Sequence, residues 1–403
     1  MEPAARSSKH PSLWRRTPHD VTDWFGSGAL ADAESYAAPL NRLSLARSVL
    51  SVAIALLIVT LEVGPWAADL VDGGWVLQLL VVLVVLSLID LVWTPWFDAW
   101  IELDYDKRHD LSTQTVGGFV SDTLKGTLLG IALPFALMTP LYAVMRNFDQ
   151  WWIAGWAIAT GLVVVLTFLY PVVIMPRFNK FEPLEEGDLK GRIDRVADRA
   201  GEQISGSFTM DASRRTKRDN AFVAGFGPTK RVVIYDTMLD HPASLIEQVV
   251  AHEIGHYRLK HIPKTAVFQA VLFLAVFGFL GWWTSWSTGL DWAGVSQIGD
   301  PGSLPYLLVG FGIAVKAISY AQAYYSRSKE RQADLEALEL LGDPEAFIDV
   351  WRRMAPKNKA ELEPSLKKRL EASHPAIAER MAFGQAWAEL NPEVEAVTWE
   401  SST

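Results

Sequence analysis

The sequence contains no cysteine among its 403 residues. Disulfide bonds and thiolate metal ligands are therefore excluded, and any metal ion must be held by His, Asp or Glu side chains. The chain also lacks a surplus of positive charge, because 46 acidic residues outnumber 37 Lys and Arg and the net charge is −9. This balance gives no support to nucleic-acid binding. Residues 1–47 contain no apolar core of the kind that a cleavable signal peptide requires, so none is predicted.

Apolar residues are abundant instead. They make up 50% of the chain, which also carries 17 Trp, a residue enriched where a membrane meets water. A helix that crosses a bilayer needs about 20 mostly apolar residues. Segments that meet this requirement are 48–70, 74–96, 126–145, 151–176, 265–290 and 304–325. The sequence therefore predicts a mostly α-helical polytopic membrane protein with about six transmembrane helices.

The distribution of Lys and Arg predicts the orientation of these helices. Basic residues are retained on the cytoplasmic side, and the connections after the first and fifth predicted helices contain none. The N-terminal segment and the two large polar regions are rich in them, so both termini and the polar regions are expected in the cytoplasm. The predicted parts are a cytoplasmic segment 1–47, a four-helix membrane domain 48–176, a cytoplasmic region 177–264, a two-helix membrane hairpin 265–325, and a cytoplasmic C-terminal region and tail 326–403.

Three ionisable residues fall inside predicted membrane helices: Glu62, Asp90 and Lys316. Charged side chains are costly in lipid and usually face a protein interior or water. One interpretation is a water-filled chamber enclosed by the helices. The alternative is that these residues lie near helix ends or pair with one another.

Region 177–264 has the pattern of a mixed α and β structure. An amphipathic helix is predicted over 189–200, and β-branched and aromatic residues predict strands over 207–210, 220–225 and 231–235. Pro242 begins a further helix that continues to residue 259.

This last helix carries the motif His252-Glu253-Ile254-Gly255-His256. Residues i and i+4 share one face of a helix, so both imidazoles can reach a single Zn²⁺. Glu253 then lies beside the ion, where it can take a proton from zinc-bound water. A surface helix with two solvated histidines is the alternative, but Val249, Val250 and Ile254 indicate a helix with a buried side. The motif predicts one catalytic zinc ion per chain.

A catalytic zinc ion takes three protein ligands and keeps one position open. Glu330 is the best candidate for the third, because it follows the sixth predicted membrane helix just as His256 precedes the fifth. The membrane hairpin thus returns the chain to the same membrane face. Asp334 stands one turn later on the same helix face, where it can accept a hydrogen bond from the second nitrogen of a ligand histidine.

Other histidines carry weaker signals. His374, in Ser373-His374-Pro375, could donate to the oxyanion of a transition state, although a lone His before Pro is more often a surface residue. His109, His241 and His261 are assigned no chemical role.

The chain resembles the integral-membrane gluzincins of the type I CAAX prenyl protease family, and its lack of cysteine and short loops are typical of a bacterial member. Beyond the zinc motif, the matching segments are 211–215, Asn220-Ala221-Phe222, 225–227, 230–233, Asp236-Thr237-Met238-Leu239, the stretch from Ser326 to Asp334, and 373–375. Eukaryotic members have seven membrane helices against the six found here, and the Phe-Gly-Phe-Asn element of the family is replaced by His109-Asp110-Leu111-Ser112.

The resemblance implies a helical chamber in the membrane joined to a zincin-like α+β catalytic domain. It implies that His252, His256 and Glu330 bind zinc, that Glu253 is the general base and that Asp334 orients a ligand. It also implies that His374 and Arg327 help to stabilise the reacting carbonyl. Asn220 and Ala221 would line the cleft and pair with extended substrate.

The sequence therefore predicts a zinc endopeptidase of the membrane, acting on peptide or protein substrates that include lipidated or membrane-associated ones. A quality-control protease that cuts damaged membrane proteins is one alternative, and a non-catalytic membrane scaffold is another. Retention of Glu253 disfavours the scaffold, because a scaffold has no need of a base.

Overall fold

A computed structural model describes residues 21–225 and 227–397. The described residues form two compact units. The helical unit comprises Leu40–Tyr170 and Thr265–Tyr320, and the mixed unit comprises the described residues up to Pro39, Pro171–Lys264 and those from Ala321 onward. The boundary at Pro39 falls within the predicted N-terminal segment 1–47. Residues 1–20 of that segment and the tail residues 398–403 lie outside the described part of the chain.

Helices account for most of the described chain. They are α1 (Val21–Thr60), α2 (Val63–Ala68), α3 (Trp75–Ala99), α4 (Val116–Met145), α5 (Trp151–Leu169), α6 (Asp188–Ala200), α7 (Ala243–Arg258), α8 (His261–Trp283), α9 (Ser287–Trp292), α10 (Leu304–Leu341), α11 (Pro344–Lys357), α12 (Leu366–Glu371) and α13 (Ile377–Leu390). A π-helix, Trp100–Tyr105, and the turn Asp106–Arg108 continue α3, and a second π-helix, Tyr170–Ile174, continues α5.

Six of these helices are long and apolar enough to cross a membrane, which confirms the predicted number. They are α1, α3 with its continuation, α4, α5, α8 and α10. The boundaries of the first differ from the prediction. Helix α1 extends from Val21 to Thr60, with non-helical backbone at Gly26 (φ 73°). It ends at Thr60 because Glu62 adopts the left-handed conformation (φ 50°) that few residues other than glycine favour. Glu62 therefore lies at a helix break and not within a transmembrane helix.

The core of the helical unit contains Leu79, Val82, Tyr142 and Leu304, all fully buried. Tyr142 Oη lies 3.0 Å from Ser303 Oγ, so the buried hydroxyl has a partner. Asp90 lines a cavity of about 490 Å³ in this unit. Thr94 Oγ1 donates to Asp90 Oδ1 at 2.6 Å. This position supports the chamber interpretation for Asp90.

The mixed unit contains a four-stranded sheet. Its strands are β1 (Phe181–Pro183), β2 (Gly206–Met210), β3 (Ala221–Ala224) and β4 (Arg231–Tyr235), in the order β1-β2-β4-β3. Strands β2 and β4 are parallel, and the other two pairs are antiparallel. The prediction of β2, β3 and β4 is confirmed, whereas β1 was not predicted because three residues ending in Pro show no alternation. Strand β3 lies at the edge of the sheet.

Helices α6 and α7 bury their apolar faces against this sheet. Ile193 and Val196 of α6 meet Ile246 and Val250 of α7 in a cluster that includes Val232 and Ile234 of β4. Burial of one face leaves the opposite face of α7 available for polar side chains.

Candidate active site

Helix α7 places the predicted zinc motif on its less buried face. Val250, Ala251 and Ile254 are fully buried, while His252 and His256 project from the other side, one turn apart. Their Nε2 atoms lie 3.2 Å apart. Two ring nitrogens at this distance direct their lone pairs towards a common point, as the spacing of the motif predicts.

Helix α10 brings Glu330 to the same point. Glu330 Oε2 lies 3.4 Å from His252 Nε2, and Oε1 lies 3.5 Å from His256 Nε2. Gly255 permits the close approach of the helices, since a Cβ atom there would lie 3.1 Å from Cβ of Glu336 on α10. Metal ions are held by groups of at least three His, Asp or Glu side chains in a chain without cysteine. Among the described residues, one such group has ligand atoms that all lie within 4.8 Å of one another, and it consists of His252, His256 and Glu330.

These three side chains fit a metal ion. In a tetrahedral zinc site with bonds of 2.0–2.2 Å, ligand atoms lie roughly 3.3–3.5 Å apart. The buried Glu330 Oε2 also has no hydrogen-bond partner among the described residues. This oxygen faces His252 Nε2 at 3.4 Å, and an orphaned buried carboxylate oxygen beside an imidazole nitrogen indicates a cation. Two His and one Glu form a donor set suited to a catalytic zinc ion.

The second nitrogen of His252 is held by a buried acid. His252 Nδ1 lies 2.9 Å from Asp334 Oδ1, and Asp334 is completely buried. Burial disfavours a protonated imidazole, but the hydrogen bond to Asp334 and the nearby carboxylate of Glu330 outweigh burial and raise the pKa of His252 to about 9. Asp334 therefore holds the ring with Nε2 towards His256 and Glu330, a geometry that suits an orienting carboxylate.

Arg380 of α13 neutralises Asp334. Its Nε donates to Asp334 Oδ2 at 2.9 Å and its Nη2 donates to Oδ1, giving a bidentate pair. The guanidinium carbon lies 3.8 Å from the ring centre of Trp351. Sequence reasoning missed Arg380, and the available signal was a lone basic residue within a largely apolar helix.

The second nitrogen of His256 has a different partner. His256 Nδ1 lies 3.1 Å from Nδ1 of His261, which begins helix α8. His261 Nε2 lies 3.1 Å from Gln332 Oε1. The sequence assigned His261 no role, although it follows the motif closely.

Glu253 lies beside His252 on α7, next to the edge strand. Burial raises the pKa of its carboxyl above the usual value, and the backbone N–H of Val223 in β3 donates to it. A partly desolvated carboxyl with a raised pKa is suited to accept and return a proton.

His374 lies on the loop between α12 and α13. Its Nε2 is 3.5 Å from Glu330 Oε2, and its side chain is 62% exposed. Ser373 Oγ lies 2.8 Å from its Nδ1, which leaves Nε2 directed towards the predicted metal site. Arg327 was expected at the reacting carbonyl, but its Nη1 donates to the backbone oxygens of Leu370 and Ala372 at 3.0 and 2.6 Å. Arg327 thus holds the segment that precedes His374.

Strand β3 presents its free edge to this site. Tyr235 N–H of β4 donates to Asn220 O, so the alternation of an antiparallel pair directs the N–H and C=O of Ala221 and Val223 away from the sheet. The Val223 carbonyl already accepts from Tyr257 Oη at 3.1 Å. A cavity of about 270 Å³ adjoins Ala221, Asn220, His252 and Glu253, with an apolar wall that includes Val249, Phe347, Trp351 and Met354.

Comparison with known proteins identifies the family. The sequence pattern of peptidase family M48 matches residues 183–388, and the pattern described as CAAX prenyl protease N-terminal, five membrane helices, matches residues 9–180. Metalloprotease YhfN of Bacillus subtilis is 28% identical over 77% of this chain and 72% of its own length. A CAAX prenyl protease 1 homolog of Arabidopsis thaliana is 36% identical over 44% of this chain and 42% of its own.

The fold has a counterpart among solved structures. The crystal structure of S. mikatae Ste24p matches 94% of this chain and 96% of its own with a TM-score of 0.82, at 22% identity. This likeness confirms the predicted fold. The M48 pattern covers half of the chain, including the helices that carry His252, Glu253, His256 and Glu330. The chain therefore belongs to peptidase family M48, and it is an integral membrane metalloendopeptidase.

Proposed function

We propose that the metal is zinc, bound by His252, His256 and Glu330, and that Glu253 is the general base of peptide hydrolysis. The observation that carries this proposal is the convergence of the three side chains. The Nε2 atoms of His252 and His256 lie 3.2 Å apart, and each lies 3.4 or 3.5 Å from an oxygen of the Glu330 carboxylate, Oε2 for His252 and Oε1 for His256. These distances agree with those expected between the ligands of a tetrahedral zinc ion.

Zinc bound there would supply Lewis-acid activation of water and of the scissile carbonyl. Glu253 takes the proton of the attacking water on its carboxylate and delivers it to the departing amine nitrogen. His374 Nε2–H donates to the oxygen on which negative charge develops. Asp334 holds the His252 ring, and Arg327 holds the loop on which His374 lies.

Extended substrate would bind along β3. The outward N–H and C=O of Ala221 can pair with a substrate backbone in the manner of an added strand, while the Asn220 side chain contacts the same segment. The apolar wall beside Ala221 suits an aliphatic or aromatic substrate side chain.

For the substrate class, we favour membrane-associated proteins, including lipidated ones. Relatives named as CAAX prenyl proteases and the membrane-helix pattern of that group support this choice. Degradomics that compares a deletion strain with a strain carrying Glu253→Gln would identify the natural substrates.

We also propose that the mixed unit faces the cytoplasm. The proposal rests on the Lys and Arg content of residues 177–264 and of the chain beyond 326, against its absence from the connection between α8 and α10.

The test uses purified protein in detergent, a quenched peptide and metal analysis. Wild-type protein should contain one zinc ion per chain and lose cleavage with chelator, recovering it when zinc is restored. Glu253→Gln should keep its zinc and cleave the peptide about 10²–10⁴-fold more slowly, because only the base is removed. Glu330→Ala should lose both the zinc ion and the cleavage activity. Cleavage by Glu253→Gln within a few-fold of wild type would disprove the mechanism.

A further inference from the structure

His261 is buried between two side chains that it bridges. Only 2% of its surface is exposed. Its Nδ1 faces His256 Nδ1 at 3.1 Å, and its Nε2 faces Gln332 Oε1 at 3.1 Å. Gln332 Nε2 lies 3.5 Å from Ser328 Oγ on the preceding turn of α10. A chain of polar groups thus connects His256 of α7 to the surface of α10.

The directions of these hydrogen bonds follow from the ligand role of His256. An imidazole that binds a metal through Nε2 is neutral and carries its hydrogen on Nδ1. His256 Nδ1–H must therefore donate to His261 Nδ1. His261 then carries its own hydrogen on Nε2, where Gln332 Oε1 accepts it, and every donor in the chain has an acceptor. The reverse direction would put a hydrogen on His256 Nε2 and remove the lone pair that faces the metal.

We propose that His261 is a positioning residue of the metal centre, which fixes the tautomer and ring orientation of His256 as Asp334 does for His252. The proposal rests on the proposed ligand set. Two ligand histidines are then oriented by partners of different charge, an ionised carboxylate for one and a neutral histidine for the other. The neutral partner places no second negative charge beside Glu330, a ligand that is itself anionic.

Two other interpretations of His261, as a metal ligand or as a residue that only fills space, predict different observations. If His261 were a ligand, its nitrogen would face the other ligand atoms, but both of its nitrogens are directed elsewhere. If it served only to fill space at the start of α8, an apolar residue of similar size would replace it.

The experiment measures zinc affinity by competition with a fluorescent chelator, using the full-length protein in detergent. His261→Leu keeps the volume and removes the acceptor, and we expect it to weaken zinc binding by about 10–100-fold. His261→Asn can present its side-chain oxygen near the position of Nδ1 and should recover a large part of that loss. The thermal midpoints of the metal-free Leu and Asn variants should match.

His241→Leu is the matched control, because His241 is also hydrogen-bonded in the mixed unit, to Asp219 at 2.6 Å, but contacts neither ligand histidine. Its zinc affinity should equal that of wild type. An unchanged zinc affinity in His261→Leu would overturn the proposal. So would equal losses of zinc affinity in the Leu and Asn variants together with a lower thermal midpoint of the metal-free proteins. A further variant, His256→Ala, tests the ligand assignment separately, since retention of zinc there would show that the proposed ligand set is wrong.

Discussion

At the scale of single residues, Asp334 and Arg380 form a buried ion pair in the site. Both are buried, with 0% and 5% of their side chains exposed. A buried ion pair is favourable only while both partners are present. Removal of Arg380 leaves an uncompensated carboxylate beside His252, a proposed ligand.

We therefore expect Arg380→Met to lower the free energy of unfolding by about 3–5 kcal/mol. Asp334→Ala should weaken zinc binding by about 10–100-fold. The double variant Asp334→Ala/Arg380→Met should be less destabilised than Arg380→Met alone, because no charge is left unpaired. Thermal unfolding in detergent and chelator competition provide the measurements, and additive effects would contradict the coupling.

The sequence predicted candidate site residues where their positions follow from the period of a helix or from the return of a membrane hairpin. His252, Glu253 and His256 follow from the i, i+4 rule, and Glu330 follows from the return of the hairpin to one membrane face. Arg380 and His261 could not be predicted in the same way. Their roles depend on which side chains meet across separate helices, and neither the period of a helix nor the length of a hairpin determines that.

At the scale of secondary-structure elements, residues of the edge strand β3 differ in the direction of their backbone N–H groups, and this difference can be tested. The backbone N–H of Ala221 is directed outward, and that of Ala224 is directed towards β4 by the same alternation. Ala221→Pro should thus remove a donor for substrate while the sheet and the zinc content remain intact. One lost hydrogen bond of about 1 kcal/mol lowers kcat/KM roughly fivefold.

Ala224→Pro is the matched control, and it should reduce the yield of folded protein because it removes a bond within the sheet. Full activity in Ala221→Pro, in a preparation with normal zinc content, would show that substrate pairs elsewhere.

The strands also illustrate what local sequence can predict. Strand β4 was predicted with its observed limits because Val and Ile dominate it, and β3 was predicted one residue longer at each end than the observed strand. The C-terminal tail makes a contact that was not predicted, because Val397 N–H donates to Leu341 O at 2.9 Å. A single backbone hydrogen bond to a distant helix end has no signature in the sequence.

At the scale of the whole molecule, the predicted orientation can be tested by cysteine labelling, because the chain has no cysteine of its own. We select four exposed positions outside the predicted membrane helices: Asp72, Ser296, Glu186 and Lys367. A membrane-impermeant thiol reagent applied to intact cells should label Cys at Asp72 and Ser296 and should spare the other two. Labelling of all four after lysis is the control, and labelling at Glu186 from outside would reverse the orientation.

Hydropathy predicted the number of membrane helices but not the start of the first one. Residues 21–47 are too polar to be predicted as part of a membrane helix, yet they are helical, and Trp24 and Phe25 pack within the mixed unit. Lys359 Nζ pairs with Asp32, and Arg218 Nη2 donates to Tyr36 Oη at 2.6 Å. Docking of this kind depends on complementary surfaces that are far apart in the chain.

The position of the ligands on α7 and α10 has a consequence for the lifetime of the protein. The chain can form no disulfide, so an ion bound at the proposed site would join His256 to Glu330 and act as a cross-link between segments far apart in sequence. An ion that binds only the folded state shifts the unfolding equilibrium towards that state by mass action. In cells deprived of zinc, the protein should therefore be degraded faster as well as be inactive, and a pulse-chase experiment on Glu253→Gln would reveal this without any contribution from its own activity.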